Sequence, residues 1–427
     1  MNQEILSPNL SMPTFSFKSP ETFKKFAESR SWEPGWLADF RKDCWDSFSA
    51  LPDKIIKDER WRFSPKARFS FDSINGLADP KNSLIVETGS SEDGIFLHLL
   101  DRLILDQPHA LAELPKMQGP ELGAQEYSLL TGAFAETGFL LRVTECTHLD
   151  TPLVIEHREP ESGKIAFHHN LIEIGDHAEV TLIEKFCPHS SCKGGHISNL
   201  LKVRLGTGAK LNRVVLQQCS QSSTLVQMEH FHIGKDANLS TSALHLGGAQ
   251  SRIESKGVLT ESGSHFEYRS AFMGNDEQLL DQRTIQVHEA AHCTSNLLCK
   301  NVLRREAKSV FSGLIKVEEN AQHTDAYQTN RNLLLSNEAE ADSLPGLEIL
   351  ANEVKCSHGA TTSRIDPQEL FYLRSRGITE KDAEKLIAVG FLSESLEHVS
   401  HESTREHVLN CLGESLDSYK SYEPTGS

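Results

Sequence analysis

Residues 174–180 read Ile174-Gly175-Asp176-His177-Ala178-Glu179-Val180. The phrase returns as Leu205-Gly206-Thr207-Gly208-Ala209-Lys210-Leu211 and as Ile233-Gly234-Lys235-Asp236-Ala237-Asn238-Leu239. The alanines stand 31 and then 28 residues apart. Each copy joins a turn signal to an apolar–polar alternation of period two, which marks a strand. Looser echoes follow at Thr260-Glu261-Ser262-Gly263-Ser264, Val287-His288-Glu289-Ala290-Ala291, Val317-Glu318-Glu319-Asn320-Ala321 and Asn337-Glu338-Ala339. Arg305-Glu306-Ala307 falls midway between Ala291 and Ala321. A phrase at a fixed period marks a repeat architecture. Strands stacked coil on coil in a β-solenoid satisfy it, with the small residue at a tight corner. A globular sandwich would give turn signals without the recurring phrase. Asn296, Asn301, Asn330, Asn332 and Asn352 are expected to stack at the bends.

Downstream, residues 322–361 stay polar but carry apolar pulses at Leu333-Leu334-Leu335, Leu347, Ile349, Leu350 and Val354. They end in Lys355-Cys356-Ser357-His358-Gly359. On a strand, positions i and i+2 share a face, which sets Cys356 beside His358. A thiolate next to an imidazole suits iron, zinc or copper. The alternative is a packed thiol and a histidine bonded to a backbone carbonyl.

This stretch resembles the C-terminal part of the SufB/SufD family of the SUF iron–sulfur cluster assembly system. The resemblance is carried by Asp325-Ala326-Tyr327-Gln328-Thr329-Asn330-Arg331-Asn332-Leu333-Leu334-Leu335-Ser336, Pro345-Gly346-Leu347-Glu348-Ile349 and Lys355-Cys356-Ser357-His358-Gly359-Ala360-Thr361. It continues through Leu370-Phe371-Tyr372-Leu373-Arg374-Ser375-Arg376-Gly377-Ile378 to Gly390-Phe391. The segment around His358 resembles the SufD form, because SufB-like sequences carry an acidic residue after the histidine. Upstream, about residues 165–320 agree in pattern only. The resemblance implies a right-handed parallel β-helix core between small N-terminal and C-terminal helical domains. It also implies a scaffold subunit rather than an enzyme, paired with a SufB-like paralogue and docked to a SufC-like ATPase. By motif, His358 is then the metal or cluster ligand at the partner interface, with Cys356 the weaker candidate. Iron or a nascent cluster would rest there transiently, and no cofactor would be bound tightly by this chain alone.

Three zones are expected: a mixed, mostly helical domain over 1–104, the β-helix over 105–365, and a helical domain over 366–427 with a frayed tail from 413. Ser19-Pro20-Glu21 reads as a helix start, and Trp36, Leu37, Phe40, Cys44 and Trp45 form an amphipathic stripe. Such aromatic stripes are usually core. Glu59-Arg60-Trp61-Arg62-Phe63-Ser64 resembles the short strand-like motif near the start of family members. Asp366-Pro367 opens a helix that Arg376-Gly377 closes. Thr379-Glu380-Lys381-Asp382 opens a second, expected to stop at Gly390. Leu370, Phe371, Leu386, Ile387 and Phe391 are the candidates for docking the ATPase, in competition with the bundle's own need for a core.

The chain has 427 residues, a formal net charge of −17, and 38% hydrophobic residues. A basic nucleic-acid surface is not expected. No apolar run approaches the roughly 18 residues of a membrane span. The N-terminus lacks a basic patch before an apolar core, which argues for a cytoplasmic protein. Nine scattered cysteines suit reduced thiols rather than a disulfide frame. Cys187, His189, Cys192 and His196 place four ligand types close together, but at no established zinc or ferredoxin spacing. His168, His169, His288 and His292 read as surface or core residues. Phosphate-loop, dinucleotide and nucleophile-elbow motifs are absent. A carbohydrate-active β-helix enzyme would need a carboxylate ladder, and none is seen. A plain adaptor without a metal role differs from the scaffold only at His358. An open solenoid edge also offers itself to a second copy of the chain when the partner is missing, giving a homodimer.

Overall fold

The computed structural model describes residues 15–52, 58–87, 94–106, 111, 119–188 and 194–418. Two parallel sheets face each other, and each coil gives one strand to each sheet. The first sheet runs from Phe139–Val143 through Lys164–Ile174, His196–Leu205, Thr224–Ile233, Gln250–Leu259, Leu279–His288 and Lys308–Val317 to Glu340–Ile349. The second runs from Leu153–Glu159 through Glu179–Pro188, Lys210–Gln217, Asn238–His245, His265–Gly274, Thr294–Leu303 and Asp325–Leu334 to Lys355–Arg364. The result is a β-solenoid of eight coils.

The recurring phrase is the corner from the first sheet into the second. Ala178, Ala209, Ala237, Ser264, Cys293 and Thr324 each precede a second-sheet strand and are buried. Each follows a left-handed residue: His177, Gly208, Asp236, Gly263, His292 or His323, with φ between 53° and 78°. A left-handed residue reverses the chain in minimum length, and a small one behind it leaves the lumen clear. Ala291 and Ala321, read as corner alanines, lie upstream of that position because the turns there are longer. Ala307 precedes Lys308–Val317 at the opposite corner, so the interval halves because each coil has two corners. Asn301, Asn330 and Asn332 stack inside strands rather than at bends; Asn296 is also within a strand, and Asn352 alone of the five lies at a bend. Asn301 donates Nδ2 to Asn332 Oδ1 at 2.7 Å, and Asn332 donates to Asn330 Oδ1 at 3.0 Å.

The lumen divides lengthwise. One side is apolar, with Ile174, Val180, Leu205, Leu211, Phe231, Ile233, Leu239 and Leu259. The other holds a buried polar chain. His157 Nδ1 meets His168 Nδ1 at 2.9 Å and its Nε2 meets Glu184 Oε1 at 3.1 Å. Arg213 Nε donates to Glu184, and its Nη1 lies 2.7 Å from Glu229 Oε1. Burial pushes the Glu184 carboxyl up, but Arg213 and His157 outweigh it and hold it at about 2.

One end of the solenoid is covered. Ile95–Leu99 pairs antiparallel with Phe139–Val143, and Leu84–Glu87 with Leu153–Glu159. Helices Pro20–Ser29, Gly35–Ser49 and Gln125–Phe134 belong to a cluster in which Phe26, Phe48, Tyr127 and Phe134 pack on Ile165, Phe167, Leu200 and Val226. Glu59–Trp61 is a 3-10 turn, not a strand. It is held against the solenoid because Trp61 donates Nε1 to Gly123 O at 3.0 Å, and the Arg252 guanidinium stacks 3.7 Å from the indole. Arg252 Nη2 also caps the carbonyls of Arg60 and Leu122.

Three helices follow the last coil, Pro367–Ser375, Glu380–Ser393 and Glu402–Ser418, and the second and third lie against the outer face of the second sheet. Ala388, Leu392, Leu396, Val408 and Leu412 pack on Val214, Leu244, Ala271 and Val302. Asp366 caps the first helix through Gln368 N at 2.8 Å, and Thr379 caps the second through Asp382 N at 3.2 Å. The second helix runs through Gly390 to Ser393, because its far side is packed and one glycine there costs only about 1 kcal/mol. The expected frayed tail is helical to Ser418, with Leu416 buried; residues 419–427 lie outside the described ones. Among the described residues, no helix is long and apolar enough to cross a membrane.

Candidate functional site

The strands Glu340–Ile349 and Lys355–Arg364 end their sheets. Alternation fixes which side chains face the lumen. In the preceding coil Ala326, Gln328, Asn330 and Asn332 point inward and are buried. Their partners in register are Cys356, His358, Ala360 and Thr362. In the first sheet, Phe311, Gly313, Ile315 and Val317 pair with Ser343, Pro345, Leu347 and Ile349. The last coil therefore turns a lumen-type face outward. Leu347 is 36% exposed and Ile349 39%, in a row whose preceding-coil partners Ile315 and Val317 are fully buried; Leu350, at the turn beyond, is 52% exposed.

The corner before Cys356 is built by Gln322. Its Oε1 accepts Glu353 N at 2.9 Å and Asn352 N at 3.3 Å, while its Nε2 donates to Glu319 O. Lys355 N then bonds Thr324 O at 2.8 Å, which sets the register of the terminal strand. Cys356 and His358 thus share one face, roughly 6.5 Å apart along the strand. His358 is exposed, and Cys356 is half-buried against the cluster of Ile315, Val317, Ala321 and Ala326. Burial, then the charge of Asp325, raises the Cys356 thiol. It stays protonated near neutrality and is the poorer ligand of the two.

The five helical candidates divide. Phe371 is 74% exposed and Leu386 54%. Leu370, Ile387 and Phe391 are half-buried. Phe391 helps to fasten the helix: Lys300 Nζ sits 4.3 Å from its ring and donates to its carbonyl at 2.8 Å. Lys300 also pairs with Glu394. Leu386 and Ile387 line a shallow groove with Tyr372 and Leu373. Tyr372, 56% exposed, was missed in the sequence because it sits inside the family motif rather than on the apolar stripe.

Among the described residues, no group of three or more His, Cys, Asp or Glu side chains is arranged to hold a metal ion. His189 and Cys192 lie outside those residues. Cys187 ends a second-sheet strand, and burial pushes its thiol up to about 11. His196 opens a first-sheet strand, and burial lowers its imidazole to about 4. His168 belongs to the buried chain with His157. Burial lowers the His169 imidazole to about 3. His288 Nε2 meets Ser295 Oγ at 2.8 Å, and His292 stacks on His323 at 4.7 Å between ring centres.

Comparison with known proteins agrees with this architecture. The family model described as SUF system FeS cluster assembly, SufBD core domain, matches residues 154–391. The chain is 29% identical over 384 residues to the iron-sulfur cluster assembly protein SufD of Escherichia coli, an alignment covering 86% of this chain and 90% of that protein. It is 28% identical over 384 residues to a SufBD family protein of Mycobacterium tuberculosis, covering 86% and 91%. It is 25% identical over 423 residues to SufD of Bacillus subtilis, covering 92% and 96%.

Proposed function

The chain belongs to the SufB/SufD family of the SUF iron–sulfur cluster assembly system, and from that premise we propose that it is a non-enzymatic scaffold subunit of the assembly complex. Its open solenoid end pairs with a SufB-like paralogue, and its C-terminal helices carry a SufC-like ATPase. The cargo, iron or a nascent cluster, is held transiently at the paralogue interface with His358 as a ligand and Cys356 in a lesser role. The protein works in the cytoplasm, away from nucleic acid and membrane.

One observation carries this reading: the terminal coil presents a lumen-type face, and His358 stands on it in the open. A partner strand continuing each sheet would bury Leu347 and Ile349 and meet the free backbone edge. It would also bring its own ligands to His358, which suits a chain lacking a three-ligand group among its described residues. An imidazole exchanges more readily than a thiolate, as transfer of cargo requires. The groove of Tyr372, Leu373, Leu386 and Ile387 supports the ATPase contact.

Co-expression with SufB-like and SufC-like proteins tests the scaffold role. A three-protein complex that turns over ATP faster than the free ATPase is expected. A chain that purifies alone and leaves the ATPase rate untouched would contradict it. The raised Cys356 thiol favours a second reading, an adaptor with no metal role. Normal cluster yield from a complex carrying His358→Ala would select it.

A further inference from the structure

We propose that Gln328 is the positioning residue for His358: its side-chain carbonyl takes one imidazole N–H and leaves the other ring nitrogen free to face the cargo. This rests on the reading of His358 as a ligand. Gln328 and His358 are register partners on the neighbouring strands Asp325–Leu334 and Lys355–Arg364. They point to the same face, and adjacent strands lie about 4.8 Å apart. Gln328 is 1% exposed. Its Nε2 donates to Gly313 O at 3.2 Å, which fixes the orientation of the amide. Its Oε1 is buried and has no hydrogen-bond partner.

A buried carbonyl oxygen without a donor is unfavourable, and native interiors rarely leave one so. The neighbouring polar groups are committed elsewhere. Asn332 donates to Asn330 Oδ1 and to Thr362 Oγ1 at 3.2 Å, and Ser343 donates to Asn330 Oδ1 at 2.6 Å. In the terminal coil, Cys356 is in register with Ala326, and Ala360 has no polar atom. By register His358 is the terminal-coil residue beside Gln328, and its imidazole N–H is the donor assigned to that oxygen. Gly313 makes the space: a Cβ there would collide with Gln328 Oε1. A carbonyl that holds one ring N–H selects one tautomer and directs the remaining lone pair, the usual support of a metal-binding histidine.

The test is nitrogen NMR of the full chain labelled with ¹⁵N-histidine, without iron, at alkaline pH where imidazole is neutral. His358 is assigned by its loss in His358→Asn. A single dominant tautomer is expected in the wild type. Gln328→Met, similar in volume but without an acceptor, should return the mixture of a free imidazole, and Gln328→Glu should restore the lock. Gly313→Ala, which keeps Gln328 but displaces its amide, should also loosen it. A tautomer mixture in the wild type, or an unchanged His358 signal in folded Gln328→Met, would overturn the proposal. No iron enters the measurement, so normal cluster yield from His358→Ala would remove the ligand reading while leaving the tautomer result intact.

Discussion

Depth in the solenoid decides what a histidine can do here. His358 is in the open and can meet a partner. His169, His245 and His288 are buried, and desolvation pushes their imidazoles from 6.5 to about 3, 4 and 4. Their folded values lie below the unfolded one, so the unfolded chain binds more protons between about pH 6.5 and 4. Stability is therefore fully present above about pH 6.5 and falls as pH drops toward 4, by up to about 1.4 kcal/mol per pH unit for each histidine. His245 has no partner on either ring nitrogen. His245→Gln should flatten the dependence of the urea midpoint on pH in this window; an unchanged slope would contradict neutral burial. Cys356 and His358 were legible in the sequence because Cys-x-His on a strand fixes a shared face. Gln328 and the chain from His157 to Glu229 were not, because their neighbours lie about a coil away and only the register brings them together.

The elements repeat the lesson at larger spacing. The corner phrase was legible because a left-handed residue followed by a small one makes six of the turns into the second sheet. It blurred at Ala291 and Ala321, where longer turns moved the corner to Cys293 and Thr324. Ala209→Leu would force a large side chain into the filled corner, and overpacking of this kind costs about 1–3 kcal/mol. A lower denaturation midpoint with unchanged far-UV dichroism is the expected outcome. The 3-10 turn at Glu59–Trp61 was misread as a strand because its conformation is set by long-range bonds to Gly123 and Arg252. Trp61→Ala should cost about 3–5 kcal/mol and open the N-terminal helices to limited proteolysis. Resistance equal to the wild type would mean that Trp61 is not the anchor.

For the whole molecule, the two ends of the solenoid differ. One is closed by antiparallel strands, and the other ends in two strands whose inward residues have nothing above them in the described chain. The repeat predicted a solenoid from the sequence, but not which end stays open, since that depends on where the chain goes after the last coil. Glu380–Ser393 and Glu402–Ser418 pack on the outside of the second sheet rather than over that end. Leu386→Glu combined with Phe371→Glu should abolish co-purification with the ATPase without changing the far-UV spectrum; retained binding would exclude these exposed helical positions as the contact. The central claim is that the open end is the paralogue interface, and hydrogen–deuterium exchange of the chain, alone in dilute solution and then with its SufB-like paralogue, tests it most directly. Protection gained on complex formation across Glu340–Ile349 and Lys355–Arg364 is the predicted result. Unchanged exchange in both strands, with protection appearing elsewhere on the solenoid, would contradict it.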